Sequence, residues 1–407
     1  MIPVLKHQNL AKGVVEGLFE IFTNKQYADK VVPKLLQSNP KWGSRDRHAI
    51  AFTIYEMVRY WRLLCETAGY PLISEPTKHQ IWKLIEVWMI VNELPLPSFD
   101  EFESLDAVTV KEKYRQLQSI RAVRESIPDW LDMMAELQLG KEWEQELAKL
   151  NQPAPLVIRV NTLKADKDKM MALCRELQIN TSLVEGLPDA LVIETNKQLV
   201  KTPAFQNGWF EVQDAASQLV APFLNVQPGM LVVDACAGAG GKTLHLAALM
   251  KNNGQLMAYD TDPSKLVELK RRAFRNAAKI EVIPAKFPPD KNKSLLENTD
   301  RLLLDVPCSG LGTLRRKPDL KWKLTPVAVK SFEQTQQKIL ERYMPLLKKG
   351  GIAVYATCSI LPSENEQQVA QFLKQYPNRY KLLENRRISS GQFGFDGFYM
   401  AKLQRID

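Results

Sequence analysis

A chain of 407 residues, 45% hydrophobic and 25% charged, is too long for one ordinary domain and too apolar for disorder, so two or three domains with their own cores are expected. No apolar run approaches the roughly 18 residues of a membrane span, and residues 1–9 hold no apolar signal core. Five cysteines without paired metal spacing argue against a disulfide scaffold and a zinc site, so a cytoplasmic protein without metal or membrane partner is expected. The formal charge of +9 is uneven: residues 1–150 carry 19 Lys+Arg against 21 Asp+Glu, and residues 151–407 the other 36 against 25. Net charges of −2 and +11 put a basic surface on the C-terminal part, which suits a polyanion, most simply nucleic acid.

From residue 9 to about 150 the apolar residues recur three and four apart, the helical period. Leu10, Val14, Leu18 and Phe22 form one stripe, Ile54, Tyr55, Val58, Trp61 and Leu64 a second, and Ile81, Leu84, Ile85, Trp88 and Met89 a third. Ser44 and Asp46 stand where they can cap the second. Residues 1–150 are read as an all-helical module whose Trp and Met are core. Pro153 and Pro155 mark a boundary, after which 156–160 and 190–194 read as strands and 166–177 as a helix. Residues 151–220 are therefore a small α+β subdomain.

Beyond Pro228-Gly229 the rhythm is strand, turn, helix, which predicts a parallel sheet covered by helices. Strands are expected at 231–236, 255–259, 280–283, 301–306 and 352–356, with a late pair near 380–383 and 398–403; Gly350-Gly351 bounds the fifth. Helices fit 243–251, 263–277, 328–347 and 363–376. In such a fold, ligands sit at the carboxyl ends of the strands.

The first of these strands runs into Cys236-Ala237-Gly238-Ala239-Gly240-Gly241-Lys242-Thr243. Small residues at a strand-to-helix turn let a ligand approach the backbone, and the helix start offers free N–H groups. The loop lacks the first glycine of a Walker A pattern and fails the dinucleotide pattern at Thr243. A nucleoside-binding methyltransferase loop and a structural tight turn both remain. Asp260, ending the second strand, stands where an acid can accept both ribose hydroxyls, whereas Asp262 before Pro263 is placed to cap a helix.

Cys308 and Cys358 each follow an apolar strand and sit in a polar turn. If the strands run third, second, first, fourth, fifth, the last two are neighbours about 4.8 Å apart, and both thiols face one cleft. Spacing supports their proximity and does not assign them separate roles. Cys65, Cys174 and Cys236 are given to packing or loop roles. Between the two thiols, Arg315, Arg316, Lys317, Lys321 and Trp322 make a basic loop with an aromatic, suited to phosphates. Trp322 either stacks on a base or packs beneath the loop.

Together these segments, with Asp305-Val306-Pro307-Cys308-Ser309-Gly310, Ala356-Thr357-Cys358-Ser359, Asp396-Gly397-Phe398, Ile158-Arg159-Val160-Asn161-Thr162 and Val212-Gln213-Asp214-Ala215-Ala216-Ser217, resemble the RsmB/Sun-type RNA 5-methylcytosine methyltransferases. The resemblance spans about residues 150–405, and residues 1–150 look loosely like a NusB-type RNA-binding module. It implies a Rossmann-like class I methyltransferase domain over 221–407 with a mainly parallel seven-stranded sheet. S-adenosylmethionine would lie over Cys236–Lys242, with Asp260 on the ribose and Asp305 lining the pocket. Cys358 would attack carbon 6 of cytosine, and Cys308 would help release the adduct. The implied partner is RNA, ribosomal in preference to transfer RNA, acted on by a monomer. Two departures stand out: Ala239 replaces the family's usual proline, and residues 283–287, around Lys286, offer no acid for adenine.

Overall fold

The computed structural model describes residues 2–194, 199–390 and 394–407. The chain divides into two compact units, Met1–Gln152 with Leu314–Pro326, and Pro153–Thr313 with Val327–Asp407. The basic loop, assigned from sequence to the C-terminal domain, thus belongs to the helical unit.

Helices in the first unit follow their apolar stripes. Leu10, Val14, Leu18 and Phe22 are buried on helix Gln8–Phe22, and the Ile81 to Met89 stripe is buried on helix Lys78–Val91. The middle stripe is split between helices Ser44–Arg59 and Trp61–Thr67, because Tyr60 leaves the helical conformation at φ −106°, ψ 27°. Gly43 rather than Ser44 is the N-cap, and Asp46 accepts its N–H at 2.9 Å. These faces close on one core, in which each fully buried aliphatic side chain contributes about 1.5–3 kcal/mol.

The second unit begins with an antiparallel sheet of β1 (Leu156–Val160), β2 (Asn180–Val184), β3 (Leu187–Glu194) and β4 (Phe210–Val212), ordered β2-β3-β1-β4. Helix Lys167–Glu176 starts where Asp166 accepts the Lys169 N–H at 2.8 Å. Strand β2 escapes the sequence reading because its residues are half-buried or exposed and carry no apolar alternation.

Seven strands follow: β5 (Leu231–Asp234), β6 (Gln255–Ala258), β7 (Glu281–Val282), β8 (Thr299–Asp305), β9 (Leu347–Thr357), β10 (Tyr380–Ile388) and β11 (Phe398–Arg405). Their order is β10-β11-β9-β8-β5-β6-β7, parallel from β9 to β7 and antiparallel at β10 and β11. The expected neighbourhood of the fourth and fifth parallel strands is therefore present as β8 beside β9. Strand β9 runs longer than expected: Gly350, at φ +77°, lies within it, beside a register shift against β8, instead of bounding it. Val233, Leu302, Leu304, Ala353 and Tyr355 bury one face of the sheet, while Val232, Leu303, Val354 and Ala356 bury the other. Near-continuous apolar runs are what a sheet covered on both faces requires.

Candidate active site

The carboxyl ends of β5, β6, β8 and β9 supply the site. Strand β5 stops at Asp234, whose carboxylate accepts the Thr243 hydroxyl at 2.7 Å and the Cys236 N–H at 3.3 Å. Those bonds brace the turn into helix Gly241–Leu249. Burial pushes the Asp234 carboxyl up to about 7, and the nearby Asp305 charge pushes the same way. Burial likewise raises the Cys236 thiol well above its ordinary value, so Cys236 is no candidate nucleophile. Asp260, just past β6, accepts the Gly238 N–H and the Asp262 N–H, both at 2.9 Å. Its carboxylate is thus fixed beside the loop by both oxygens. Lys242 donates to Asp305 at the end of β8 at 2.6 Å, and its ammonium lies 4.8 Å from the Phe398 ring centre.

The loop fits a nucleoside cofactor. A Cβ built on Gly238 or Gly241 would meet nothing within 4 Å, whereas one on Gly240 would strike Leu269 at 2.9 Å. One flank of the turn is therefore open and the other packed, with Asp260 and Asp305 as acceptors on the loop's two sides. Residues 283–287 bring no carboxylate: the Ala285 carbonyl accepts the Tyr259 hydroxyl at 3.1 Å, Phe287 is exposed, and the next acid, Asp290, pairs with Arg342 at 2.9 Å.

Beyond β8 and β9 the two thiols meet. Cys308 Sγ and Cys358 Sγ are 3.4 Å apart. The Cys308 thiol is held well above its ordinary value, first by its hydrogen bond with Cys358 and then by burial, with the Glu364 charge adding to both. Either sulfur can donate in this contact, and the shift favours the protonated form of Cys308. Gly312 closes the turn: its N–H donates to the Cys358 carbonyl at 2.9 Å, and a Cβ there would lie 2.0 Å from the Gly397 carbonyl oxygen. Gly397 in turn donates its N–H to the Gly312 carbonyl at 2.8 Å, which ties the Asp396-Gly397-Phe398 segment into the same corner.

Sequence reasoning missed the group that joins the two turns. Glu364 is 0% exposed and accepts the Ser309 N–H at 2.8 Å, the hydroxyls of Ser309 and Ser359 on one oxygen, and the Gln336 amide at 3.1 Å. Gln336 also donates to the Pro307 carbonyl at 3.0 Å, and the Tyr355 hydroxyl donates to the Glu364 carbonyl at 2.6 Å. Each serine follows one of the cysteines, so a single carboxylate fixes both thiols. The signal available in sequence was the repeated Cys-Ser pair.

The basic loop is placed otherwise than expected. Lys321 is 1% exposed, and its ammonium donates to the Arg59 carbonyl at 2.8 Å, the Asn151 amide oxygen at 3.1 Å and the Glu125 carbonyl at 3.4 Å. Trp322 packs on the helical core and donates to the Val58 carbonyl at 2.7 Å. Arg315 is buried, with its Nε on the Gln152 carbonyl at 3.3 Å. These three side chains hold the loop to the helical unit, so the expectation that Arg315 and Lys321 face RNA is corrected, and Trp322 takes the packing alternative over stacking on a base. Arg316 is half-buried, and exposed Lys317 lies 3.4 Å from Asp29. Cys65 and Cys174 are buried in cores, as expected, and burial raises the Cys65 thiol to about 12.

A glycine turn at the first strand of a mainly parallel sheet, an acid after the second strand, and an antiparallel final pair define a Rossmann-like methyltransferase. Residues 221–404 match the family described as 16S rRNA methyltransferase RsmB/F, and residues 127–199 match the ferredoxin-like domain of RsmF/B-like methyltransferases. The probable ribosomal RNA small subunit methyltransferase B of Synechocystis sp. is 37% identical over 298 residues, 69% of this chain and 67% of that one. Its namesake in Vibrio cholerae is 35% identical over 297 residues, 71% of this chain and 68% of that one. The crystal structure of PH0851 shares the fold at a TM-score of 0.77 and 24% identity, covering 97% of this chain and 98% of that one. The chain belongs to the RsmB/F family of S-adenosylmethionine-dependent rRNA methyltransferases. Among the described residues, no helix is long and apolar enough to cross a membrane, and no cluster of His, Cys, Asp and Glu has the form of a metal site.

Proposed function

We propose that this protein methylates carbon 5 of a cytosine in 16S rRNA, with Cys358 as the nucleophile and Cys308 as its proton-bearing partner. The observation that carries the reading is the 3.4 Å thiol pair at the ends of neighbouring strands, where the Cys358 contact and burial favour the protonated form of Cys308. When bound, S-adenosylmethionine supplies an electrophilic methyl group; Gly238, Asp260 and Asp305 would hold it. The Cys358 thiolate adds to carbon 6 of a base flipped from its stack, and the ring electrons move to carbon 5, which becomes nucleophilic. After methylation, a water molecule takes the carbon 5 proton, the electron pair of that C–H bond restores the double bond between carbons 5 and 6, and the sulfur–carbon bond breaks with its pair returning to Cys358. The Cys308 S–H donates to that departing sulfur, stabilising the thiolate as it leaves. Only a soft, ionisable side chain can both add to the ring and depart from it. Of the basic loop, Lys317 and Arg316 are the residues proposed for phosphate contact.

The test is the fate of the covalent adduct. With 16S rRNA and S-adenosylmethionine, Cys308→Ala is expected to accumulate a protein–RNA species that survives a denaturing gel, and Cys308→Ala/Cys358→Ala none. Turnover by Cys308→Ala at the wild-type rate without adduct would remove Cys308 from the release step. Transfer to tRNA in place of 16S rRNA would reassign the substrate.

A further inference from the structure

The cofactor loop has a soft point. Ala239 stands between Gly238 at φ +53° and Gly240 at φ +90°, two left-handed residues, and its own φ is not fixed as a proline's would be. Its carbonyl is nevertheless held, because Arg272 Nη1 donates to it at 2.7 Å. Arg272 lies on helix Pro263–Asn276, and its other nitrogen, Nη2, donates to Glu211 at 2.8 Å. Glu211 belongs to neither that helix nor the large sheet. It is the middle residue of β4 in the antiparallel subdomain, opposite Arg159 of β1.

Glu211 is 4% exposed, and its second oxygen accepts from Arg275 and from Asn276 Nδ2. Burial alone would raise its carboxyl; the Arg272 charge and the bonds from Arg275 and Asn276 outweigh that and hold it below the usual range. The backbones are fastened at the same place. Asn161 donates to the carbonyls of Gly208 at 2.8 Å and Asn276 at 3.0 Å, and a Cβ on Gly208 would lie 2.1 Å from the Arg275 carbonyl oxygen. The subdomain, helix Pro263–Asn276 and the cofactor loop therefore form one continuous set of polar contacts. A planar guanidinium can serve a carbonyl and a carboxylate at once; an ammonium serves both only by giving up reach.

We infer that Arg272, held by Glu211 of the antiparallel subdomain, is a positioning residue for S-adenosylmethionine that fixes the Ala239 turn. Subdomain docking and cofactor affinity are then linked, and each strengthens the other by the same factor. The inference rests on the reading of Cys236–Lys242 as the cofactor loop.

The experiment uses the full chain, with S-adenosylmethionine binding measured by calorimetry and KM and kcat by methyl transfer to 16S rRNA. Arg272→Gln can still bond Glu211 but cannot also reach Ala239, so cofactor Kd and KM are expected to rise roughly tenfold, the factor of a lost charged hydrogen bond. kcat at saturating cofactor and KM for rRNA should stay within about twofold, a split that general loosening of the fold would not give. Glu211→Gln is expected to weaken the cofactor by a smaller factor, and the double variant no more than Arg272→Gln alone, because both act through one contact. Should Arg272→Gln fail to fold, Arg272→Lys decides, with an expected rise of a few fold. A cofactor Kd within twofold of wild type in the folded Arg272 variant overturns the inference. Asp260→Asn separates the two readings: if it loses affinity while the Arg272 variant does not, only the positioning role falls, and if neither does, the loop is not the cofactor site.

Discussion

Lys321 in the helical unit and Glu364 in the methyltransferase unit are both charged groups sealed from solvent, at 1% and 0% exposure. Both are satisfied by hydrogen bonds, as buried charge demands. Burial pushes the Lys321 ammonium well below its usual value, with the Arg59 charge adding, and pushes the Glu364 carboxyl up against the bonds from Ser309 and Ser359. The difference lies in their partners. Lys321 bonds two carbonyls and an amide oxygen, and joins segments of a helical core. Glu364 bonds residues that each follow a thiol. A buried charge therefore marks a site only when what it holds is reactive; otherwise it is a fastener.

The largest effect expected of that contrast is at the thiol itself. Cys358→Ala should lower label transfer from S-adenosylmethionine to 16S rRNA by roughly a thousandfold or more, the usual loss for a nucleophile. Unchanged transfer would remove Cys358 from the role of nucleophile.

Glu364→Gln sharpens the comparison. Its amide nitrogen cannot accept, so Ser309 and Ser359 lose one shared oxygen, and the thiol separation is no longer set. kcat should fall on the order of 10–100-fold, as for small misplacements of catalytic groups, with cofactor affinity unchanged. A kcat within twofold of wild type would make Glu364 a fastener like Lys321.

Lys321→Met is the reciprocal test. It leaves the Arg59 carbonyl and the Asn151 oxygen without their donor, at a cost of about 1–3 kcal/mol, read as a lower urea midpoint. Transfer per folded molecule should be unchanged. Loss of transfer with the midpoint kept would restore Lys321 to the RNA-facing residues and break the contrast.

What the sequence made legible follows from periodicity and position. The small turn at 236–242 and the acid at 260 are local features that fold side by side, and the nearness of Cys308 and Cys358, 50 residues apart, was legible through the strand order of a parallel sheet. Lys321 was read toward phosphate and Trp322 left open because a basic run with an aromatic has the same composition whether it meets phosphate or a ring of carbonyls; only tertiary contacts choose. Glu364 was missed for the converse reason. In Pro362-Ser363-Glu364-Asn365 it looks like a solvated acid before a helix, and the Ser309 that buries it is 55 residues away. Glu211 and Arg272, 61 residues apart, are invisible on the same ground.

Asp234 lies between the two cases, since among the described residues its carboxylate accepts from the Thr243 hydroxyl and the Cys236 N–H, and it sits beneath the glycine turn. Its folded value of about 7 exceeds the ordinary carboxyl value, so the folded chain holds a proton that the unfolded chain has already released. The stabilisation this confers is complete below about pH 4 and is lost as pH climbs through about 7. Asp234→Asn stays neutral throughout and keeps a partner for Thr243. The variant's melting temperature minus that of the wild type should therefore be more positive at pH 8 than at pH 5.5, by a few degrees for a unit of this size. Other titrating groups are common to both proteins and cancel in that difference. Thermal melts without cofactor measure it, and an equal difference at both pH values would mean that Asp234 is ionised across the range. It would then be a fixed negative charge under the loop, set against the Lys242–Asp305 pair rather than apart from it.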